Sequence, residues 1–321
     1  MFLRTIIALA MLSAASPAVW AQGYPSKPVR VIVTFPPGGT PDIYGRVMSA
    51  ELQKVWNQSV VVENRTGAGG TIGTDYVAKA APDGYTLLFA ADATITIAPH
   101  LYSNLPYDPV RDLAPIVNVA AGPFVLMANP AFPPNNVKEL IALVQTRPGK
   151  VSYASSGAGG QQHLAMEYIR TMAGSMDMIH VPYKGFGQGI ADVLANQVPL
   201  IFGGITASIQ LTRSGKLKAL AVTGPRRAKA LPDVPAVAET LPGFDITAWY
   251  GFMAPAATPR EIVKKIHDDS VAVIKRPDFL ERLGRDGLSP VGNTPEEFAA
   301  QIKTDLAHWA GIVKAAGAKL D

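Results

Sequence analysis

The sequence predicts an α/β protein made of two domains, and three observations carry this prediction. The chain has 321 residues, a length that allows two ordinary domains. Hydrophobic residues make up 48% of it and charged residues 17%, a composition typical of globular proteins with a well-developed core. A β-branched strand leads through glycines into a helix start twice, in residues 31–46 and 151–172, and this unit is typical of α/β folds.

The first of these junctions reads VIVTFPPGGTPDIYGR. Residues 31–33 suit a strand buried on both faces, and the prolines and glycines that follow cannot continue it. Thr40 is predicted as the N-cap of the next helix, with Pro41 at its first position. The third helical residue is then Ile43 and not a glutamate that reaches back, so the Thr40 amide is expected to be open to an anion. A tight turn with nothing bound fits the same pattern.

The N-terminus predicts an exported protein. Arg4 precedes a short apolar run over residues 6–12, and small residues lead to a cleavage site expected after Ala21. A membrane anchor is the alternative, but the run is short and is interrupted by serine and proline within residues 13–17. No later segment offers about 20 unbroken apolar residues. We therefore expect export, cleavage of the leader and a soluble mature protein.

Two further strands are predicted, over residues 59–63 and 85–90. Between them the glycines of residues 66–73 have the spacing G-x-G-x-x-x-G, which does not match a dinucleotide fingerprint. We interpret this loop as backbone that passes close to the first junction. Asp92 and Thr94 follow the third strand and are expected to face the same crevice as Thr40, because ligands bind beyond the carboxyl ends of such strands. Thr94 as a cap of the next short helix is the alternative.

The rest of the chain continues the alternation of strands and helices. Strands are predicted over residues 116–119, 124–128, 151–155, 178–181, 200–202, 217–223 and 249–253, with a helix over 137–145. The strand at 124–128 is interpreted as the crossover into a second domain, and 249–253 as the return to the first. Capping boxes at Thr258 and Thr294 predict two last helices, which end near Lys275 and Gly317.

Several classes of chemistry are missing from the sequence. There are no cysteines and five histidines, none of them paired at helical i,i+4 spacing, and no P-loop or G-x-S-x-G motif. No basic stripe suits nucleic acid. We therefore predict no metal, no cofactor and no nucleic-acid partner. A serine hydrolase that uses Ser156 and His163 is an alternative, but a structural role for His163 in the first helical turn is favoured.

Nearly all of the sequence after residue 21 resembles the Bug family, the extracytoplasmic solute receptors of tripartite tricarboxylate transporters. The resemblance is carried, in the family's order, by YPSKPVR, FPPGGTPDIYGR, VVVENRTGAGGTIG, KAAPDGYTLL, YASSGAGGQQHLA, HVPYKG, GKLKALAVTG, LPDVPAVAETLPGF and APAATP. It implies a two-domain α/β Venus-flytrap receptor with the ligand in the interdomain cleft. It also implies a ligand carboxylate held by the loops after the first and third strands.

The resemblance also implies a set of ligand-binding residues. They are Phe35, Gly39, Thr40 and Asp42 in the first loop, Asp92 and Thr94 in the third-strand loop, Ser155, Ser156, Gly157, Gln161, His163 and Tyr183 in the second domain, and Gly204 and Ile205. Many relatives carry Asp-Asn at positions 203 and 204, where this chain has two glycines. The loss of that carboxylate is expected to disfavour ligands with an ammonium group.

The domain boundaries and partners follow from the same resemblance. Residues 1–21 are expected to be the signal peptide, 22–123 with 248–321 the first domain, and 124–247 the second. The expected partners are a small carboxylate and the membrane subunits of a transporter, with a sensor kinase as the alternative partner. We expect the receptor to act as a monomer and not as an enzyme.

Overall fold

The computed structural model describes residues 23–174 and 176–320, so the predicted signal peptide and its cleavage site after Ala21 lie outside the described residues. The strands are β1 (Val29–Val33), β2 (Val60–Asn64), β3 (Thr86–Ala91), β4 (Leu113–Ala128), β5 (Val151–Ser155), β6 (Met178–Pro182), β7 (Leu200–Gly204), β8 (Lys218–Val222), β9 (Thr247–Pro255) and β10 (Ser289–Pro290). The α-helices are α1 (Thr40–Trp56), α2 (Thr71–Ala78), α3 (Ala98–Leu101), α4 (Val137–Thr146), α5 (Gln161–Met172), α6 (Phe186–Leu194), α7 (Ile205–Arg213), α8 (Arg260–Ile274), α9 (Pro277–Arg285) and α10 (Pro295–Ala316). Single turns of 3₁₀ or π helix cover Ala68–Gly70, Ala93–Ile97 and Val237–Glu239.

Eight strands follow one another in the order β2-β1-β3-β9-β4-β7-β5-β6, and β8 and β10 also pair with β4. The β1 strand runs parallel to β2 and β3, and β5 runs parallel to β6 and β7. We call β1–β3, β9, β10 and residues 113–123 of β4 the first lobe, with helices α1–α3 and α8–α10. We call β5–β8 and residues 124–128 of β4 the second lobe, with helices α4–α7. The predicted α/β class is confirmed.

The long strand β4 belongs to both lobes. Its residues 113–123 pair with β9, and Phe124–Ala128 pair with β7 and β8 instead. The prediction of two separate strands, 116–119 and 124–128, is therefore wrong. Neighbouring strands pair with β4 on both sides of Gly122 and Pro123. The backbone therefore stays extended through these two residues, although glycine and proline usually interrupt strands.

Helices cover both faces of the first lobe's sheet. Residues 31–33 and all of β3 are buried, as predicted for strands enclosed on two sides. Tyr44 and Met48 of α1 belong to the core on one face, and Trp249 and Phe298 pack edge to face, 4.8 Å apart, on the other. The carboxyl ends of β1 and β3 are thereby fixed side by side at the sheet edge where α1 begins.

The glycine loop of residues 66–73 passes close to the first junction, as interpreted from the sequence, since a Cβ atom on Gly70 would stand 3.1 Å from the Thr34 hydroxyl oxygen. A Cβ atom on Gly70 would stand 2.6 Å from Cγ2 of Thr94, and one on Gly73 would stand 2.5 Å from the carbonyl oxygen of Arg65. Gly70 also has a φ of 95°, which favours glycine. The loop therefore needs its glycines for packing.

The two predicted capping boxes have different outcomes. Thr294 caps α10, since its hydroxyl accepts the Glu297 amide and the Glu297 carboxylate accepts the Thr294 amide. The prediction of a capping box at Thr258 is wrong. The Thr258 hydroxyl donates to the carbonyl of Pro255 at 2.7 Å, and helix α8 begins after Pro259.

Candidate functional site

The first helix junction begins one residue earlier than predicted. Gly39 is the N-cap of α1, in extended conformation (φ −79°, ψ 163°), and no side chain caps it. Thr40 is consequently the first helical residue and not the N-cap. The first amide of the helix to find a carbonyl one turn back is that of Ile43, which bonds Gly39 at 3.0 Å. The Thr40 and Asp42 amides precede it and are first-turn donors that the helix itself does not satisfy.

Asp42 shapes the loop in front of this helix. Its carboxylate accepts the Gly38 amide at 3.1 Å, the Arg46 guanidinium at 2.9 Å and the Asn64 side-chain amide at 2.8 Å. Burial opposes its ionisation, yet the hydrogen bonds from Arg46, Asn64 and Gly38 hold the pKa of Asp42 below its usual value. Asn64 also donates to the carbonyl of Phe35 at 3.0 Å, so the loop is tied to β2.

The second junction has the same construction. Gly160 is the N-cap of α5, again extended (φ −65°, ψ 160°) and without a side-chain cap. The third helical residue, His163, accepts the Gly159 amide at its Nδ1 atom, 3.1 Å away. Its ring stacks on that of His180 with centroids 4.0 Å apart. Burial lowers the pKa of His163, and burial followed by the repulsion of His163 lowers that of His180 to about 4.

These contacts count against the hydrolase arrangement. The Nδ1 atom of His163 is occupied by a backbone amide. The serine that meets a histidine is Ser155, whose Oγ lies 2.7 Å from Nε2 of His180. That hydroxyl is fully buried and also exchanges hydrogen bonds with the backbone of Gly157. Ser155 therefore holds the glycine loop in shape, while Ser156 and Gly157 form its partly exposed turn.

The first residue of each helix reaches the opposite lobe. A Cβ atom built on Gly204, the N-cap of α7, would stand 3.0 Å from the hydroxyl oxygen of Thr40, and the phenol of Tyr250 lies beside the Thr40 side chain. In the other direction, the Gln161 amide donates a short hydrogen bond to the carboxyl group of Asp92. The structure thus brings Thr40, Asp92, Gln161 and Gly204 together where the lobes meet.

Other residues implied by the resemblance support this region from outside it. The Tyr183 hydroxyl donates to Asp192 at 2.6 Å, and Thr94 donates to the Ala91 carbonyl at 3.1 Å beneath the glycine loop. Ile205 is buried against Gly287. Phe35 is partly buried next to the core.

Sequence reasoning missed three residues of this site. His180 stands in the HVPYKG motif, which could have drawn attention to it. Asn64 is a polar residue at the carboxyl end of a strand, the same signal that identified Asp92. Tyr250 lies inside an apolar strand, and nothing in its local sequence distinguishes it from core.

The glycine at position 203 is enclosed by side chains of its own lobe. A Cβ atom there would stand 2.6 Å from the Ser208 hydroxyl, 2.7 Å from the Phe186 ring and 2.8 Å from the Met127 methyl group. An aspartate at this position does not fit unless the side chains of Ser208, Phe186 and Met127 move.

A groove with a volume of about 790 Å³ lies on the first lobe, and none of the residues that line it belongs to either junction. It is lined by Lys27, Pro28, Arg30, Arg65, Ile72, Asp75, Tyr76, Lys79, Ala80, Ala81, Asp83, Tyr85 and Thr86. Three of its four cations form ion pairs, with Asp83, Glu63 and Asp75. Since these charges are neutralised locally, the groove does not present a prepared anion site.

None of the described helices combines the length and apolar character that a membrane span requires, and no cluster of histidine, aspartate and glutamate among the described residues suits a metal ion.

Comparison with known proteins identifies the family. A family model described as the tripartite tricarboxylate transporter family receptor matches residues 44–318. The structure of the periplasmic binding protein BugD is similar at a TM-score of 0.84 and 37% identity, covering 92% of this chain and 99% of that one. Rpa4515 of R. palustris, solved with adipate, gives a TM-score of 0.87 and 32% identity over 92% of this chain and 100% of its own. MatC of Rhodopseudomonas palustris, with bound malate, gives a TM-score of 0.82 and 31% identity over 90% of this chain and 100% of its own.

These matches extend over both lobes and confirm the two-domain flytrap architecture. They are solute-binding proteins, so the prediction of a non-enzymatic protein is confirmed and the hydrolase alternative is not supported. The chain belongs to the tripartite tricarboxylate transporter receptor family and is an extracytoplasmic solute receptor of the Bug type.

Proposed function

We propose that this receptor captures a small organic carboxylate between its two lobes, which divide near residues 123 and 247. The observation that carries the proposal is the pair of matched junctions. Thr40 and Gln161 are each the first residue of a helix without a side-chain cap, and each reaches across to the other lobe. Both helices thus direct their N-terminal amides to the place where the lobes meet.

A carboxylate suits this place physically. Helix N-termini stabilise negative charge through unsatisfied amides and the helix dipole. Arg46, a cation near the first loop, is already paired with Asp42, so the helix N-termini are the groups that we propose for the ligand. Hydrogen bonds to a charged group contribute about 1.5–3 kcal/mol each. Several of them supply the roughly −8 kcal/mol of a micromolar complex.

Two relatives support the ligand class. Their structures hold adipate and malate, both of which are dicarboxylates. For this chain we propose a carboxylate with one end at the Thr40 and Gln161 junctions and the other toward Phe186, an apolar neighbour in the second lobe. Closure of the lobes in the periplasm then presents the loaded receptor, acting as a monomer, to transporter membrane subunits. Signalling to a sensor protein is the alternative use of the same closure.

Calorimetry with a panel of mono-, di-, tri- and aromatic carboxylates tests the proposal. We expect at least one carboxylate to bind in the micromolar range and its neutral amide to bind at least tenfold more weakly. Thr40→Val is expected to weaken binding at least fivefold, and Thr40→Ser, which keeps the hydroxyl, to lose less. A panel without any binder would refute the proposed function, and an unchanged dissociation constant in Thr40→Val would remove Thr40 from the site.

A further inference from the structure

Asp92 lies between the lobes at the end of β3 and is only 1% exposed. Its Oδ2 atom accepts the hydrogen bond from Gln161 of the second lobe. Its Oδ1 atom is buried and has no hydrogen-bond partner among the described residues. A buried polar atom left unpaired costs about 1–3 kcal/mol, so this oxygen lacks a partner that it would need in the complex.

The surroundings of Asp92 disfavour a negative charge. A negative charge on Asp92 is repelled by Asp305 of α10, another carboxyl, and it also acts on the Tyr250 phenol of β9. From α5 it meets the neutral amide of Gln161. Burial first, and then the repulsion of Asp305, raise the pKa of Asp92 well above its usual value, although Gln161 and nearby backbone amides oppose the shift.

The observed hydrogen bond fits the neutral form. A protonated carboxyl group has one hydroxyl donor and a carbonyl acceptor. Because Gln161 donates to Oδ2, Oδ2 is the acceptor and the proton belongs on Oδ1. The unpaired atom is then an unused donor in a site that we propose to be built for an anion.

We propose that Asp92 binds ligand as a neutral acid and donates a hydrogen bond from Oδ1 to the ligand carboxylate. This inference rests on the proposed function and deepens it. Asp92 becomes a specificity-determining residue that favours an ionised carboxylate at this position. It disfavours an ammonium group there, because an ammonium has no acceptor and two donors would face each other.

A linkage to pH follows. At any pH at which Asp92 is ionised in the free receptor, ligand binding is accompanied by uptake of one proton from solvent, which forms the Oδ1–H group. Carboxylate affinity therefore falls as pH rises through the pKa of Asp92 in the free protein, with a limiting slope of tenfold per pH unit. A ligand that donates to an ionised Asp92 produces the opposite slope.

The test uses calorimetry with adipate and malate from pH 6 to 9, in buffers of different ionisation enthalpy, on the mature protein. For wild type we expect the dissociation constant to rise with pH and proton uptake to accompany binding. Asp92→Asn keeps a donor and an acceptor, so its affinity should not depend on pH and should exceed that of wild type several-fold at pH 9. Asp92→Leu should bind at least tenfold more weakly than wild type at pH 6.

Infrared difference spectroscopy with ¹³C-labelled aspartate provides a second readout that does not depend on the position of the pKa. The complex should show a carboxylic acid carbonyl band that Asp92→Asn lacks. Absence of that band, affinity that rises with pH, or a pH slope that persists in Asp92→Asn would overturn the proposal. Failure of wild type to bind any carboxylate at pH 6 would instead refute the proposed function itself.

Discussion

The two helix junctions share a backbone design and differ in the side chain that accepts the loop amide. In both, a glycine in extended conformation caps the helix, and the third helical residue accepts the amide of the residue before that glycine. In both, the first helical residue, Thr40 or Gln161, is 6% exposed. The acceptor is Asp42 in the first lobe and His163 in the second.

This difference determines how each loop responds to acid. Asp42 accepts hydrogen bonds as a carboxylate, and its pKa is held below the usual value of 3.8, so mild acid leaves it unchanged. His163 accepts the Gly159 amide only while its Nδ1 atom is unprotonated. The hydrogen bond that holds the loop therefore persists in mild acid in the first lobe and is lost in the second when His163 is protonated.

The largest expected effect comes from Asp42→Ala. This change removes the acceptor of the Gly38 amide, the Asn64 amide and Arg46. These donors are exposed or half-buried, and each such hydrogen bond contributes about 0.5–1.5 kcal/mol. We expect the free energy of unfolding in urea to fall by about 2–4 kcal/mol and carboxylate binding to be lost. Thr294→Ala removes a cap far from the junctions and should cost about 1 kcal/mol without a change in binding. Equal losses in the two variants would show that Asp42 has no special role.

The next effect is expected at the residue that links the second junction to the first lobe. Gln161→Leu keeps the size of the side chain but removes the hydrogen bond to Asp92. We expect carboxylate affinity to fall five- to tenfold in calorimetry. Combined with Thr40→Val, the losses should not add, because both residues stabilise the same closed arrangement. Strictly additive losses would mean that the two junctions act independently.

The pH dependence of stability separates the two junctions directly. His180 has a pKa of about 4 in the folded protein against 6.5 ordinarily, and the pKa of His163 is also lowered. Between pH 4 and pH 6.5 the unfolded chain binds more protons than the folded protein. The free energy of unfolding therefore decreases as the pH falls. We expect the melting temperature to drop from pH 7 to pH 4.

His163→Asn is the matched variant for this measurement. Its side-chain oxygen accepts the Gly159 amide at any pH, so the drop in melting temperature should be smaller than in wild type. An identical pH profile would show that His163 does not make the second loop acid-sensitive.

The smallest effect is expected from Gly204→Ala. Its Cβ atom would stand 3.0 Å from the Thr40 hydroxyl, tighter than ordinary van der Waals contact, so the lobes should close less completely. We expect a two- to threefold loss of carboxylate affinity and a slightly larger radius of gyration by X-ray scattering with ligand. Gly187→Ala, which meets nothing within 4 Å, should leave both values unchanged.

Local sequence patterns predicted the parts of the fold that depend on local physics. The strand over residues 151–155 has the predicted bounds, because a β-branched and aromatic run ends at a glycine loop. The cap of α1 was misplaced by one residue, since the extended Gly39 backbone and not the Thr40 hydroxyl starts the helix. A sequence pattern does not distinguish these two starts.

The contacts that define the site could not be predicted in this way. Gln161 and Asp92 are 69 positions apart, and no periodicity relates them. The stacking of His163 on His180 depends on the pairing of β5 with β6. The resemblance pointed to these loops, but only the folded arrangement shows which residues contact one another.

The central claim is that the amides at the start of α1 and α5 bind a carboxylate together. Nuclear magnetic resonance on the ¹⁵N-labelled mature protein tests it without any mutation, by titration with the tightest carboxylate of the panel. We expect the amide protons of Thr40, Asp42 and Gln161 to shift downfield in the same saturable transition. Binding that leaves these amides unshifted would contradict the account.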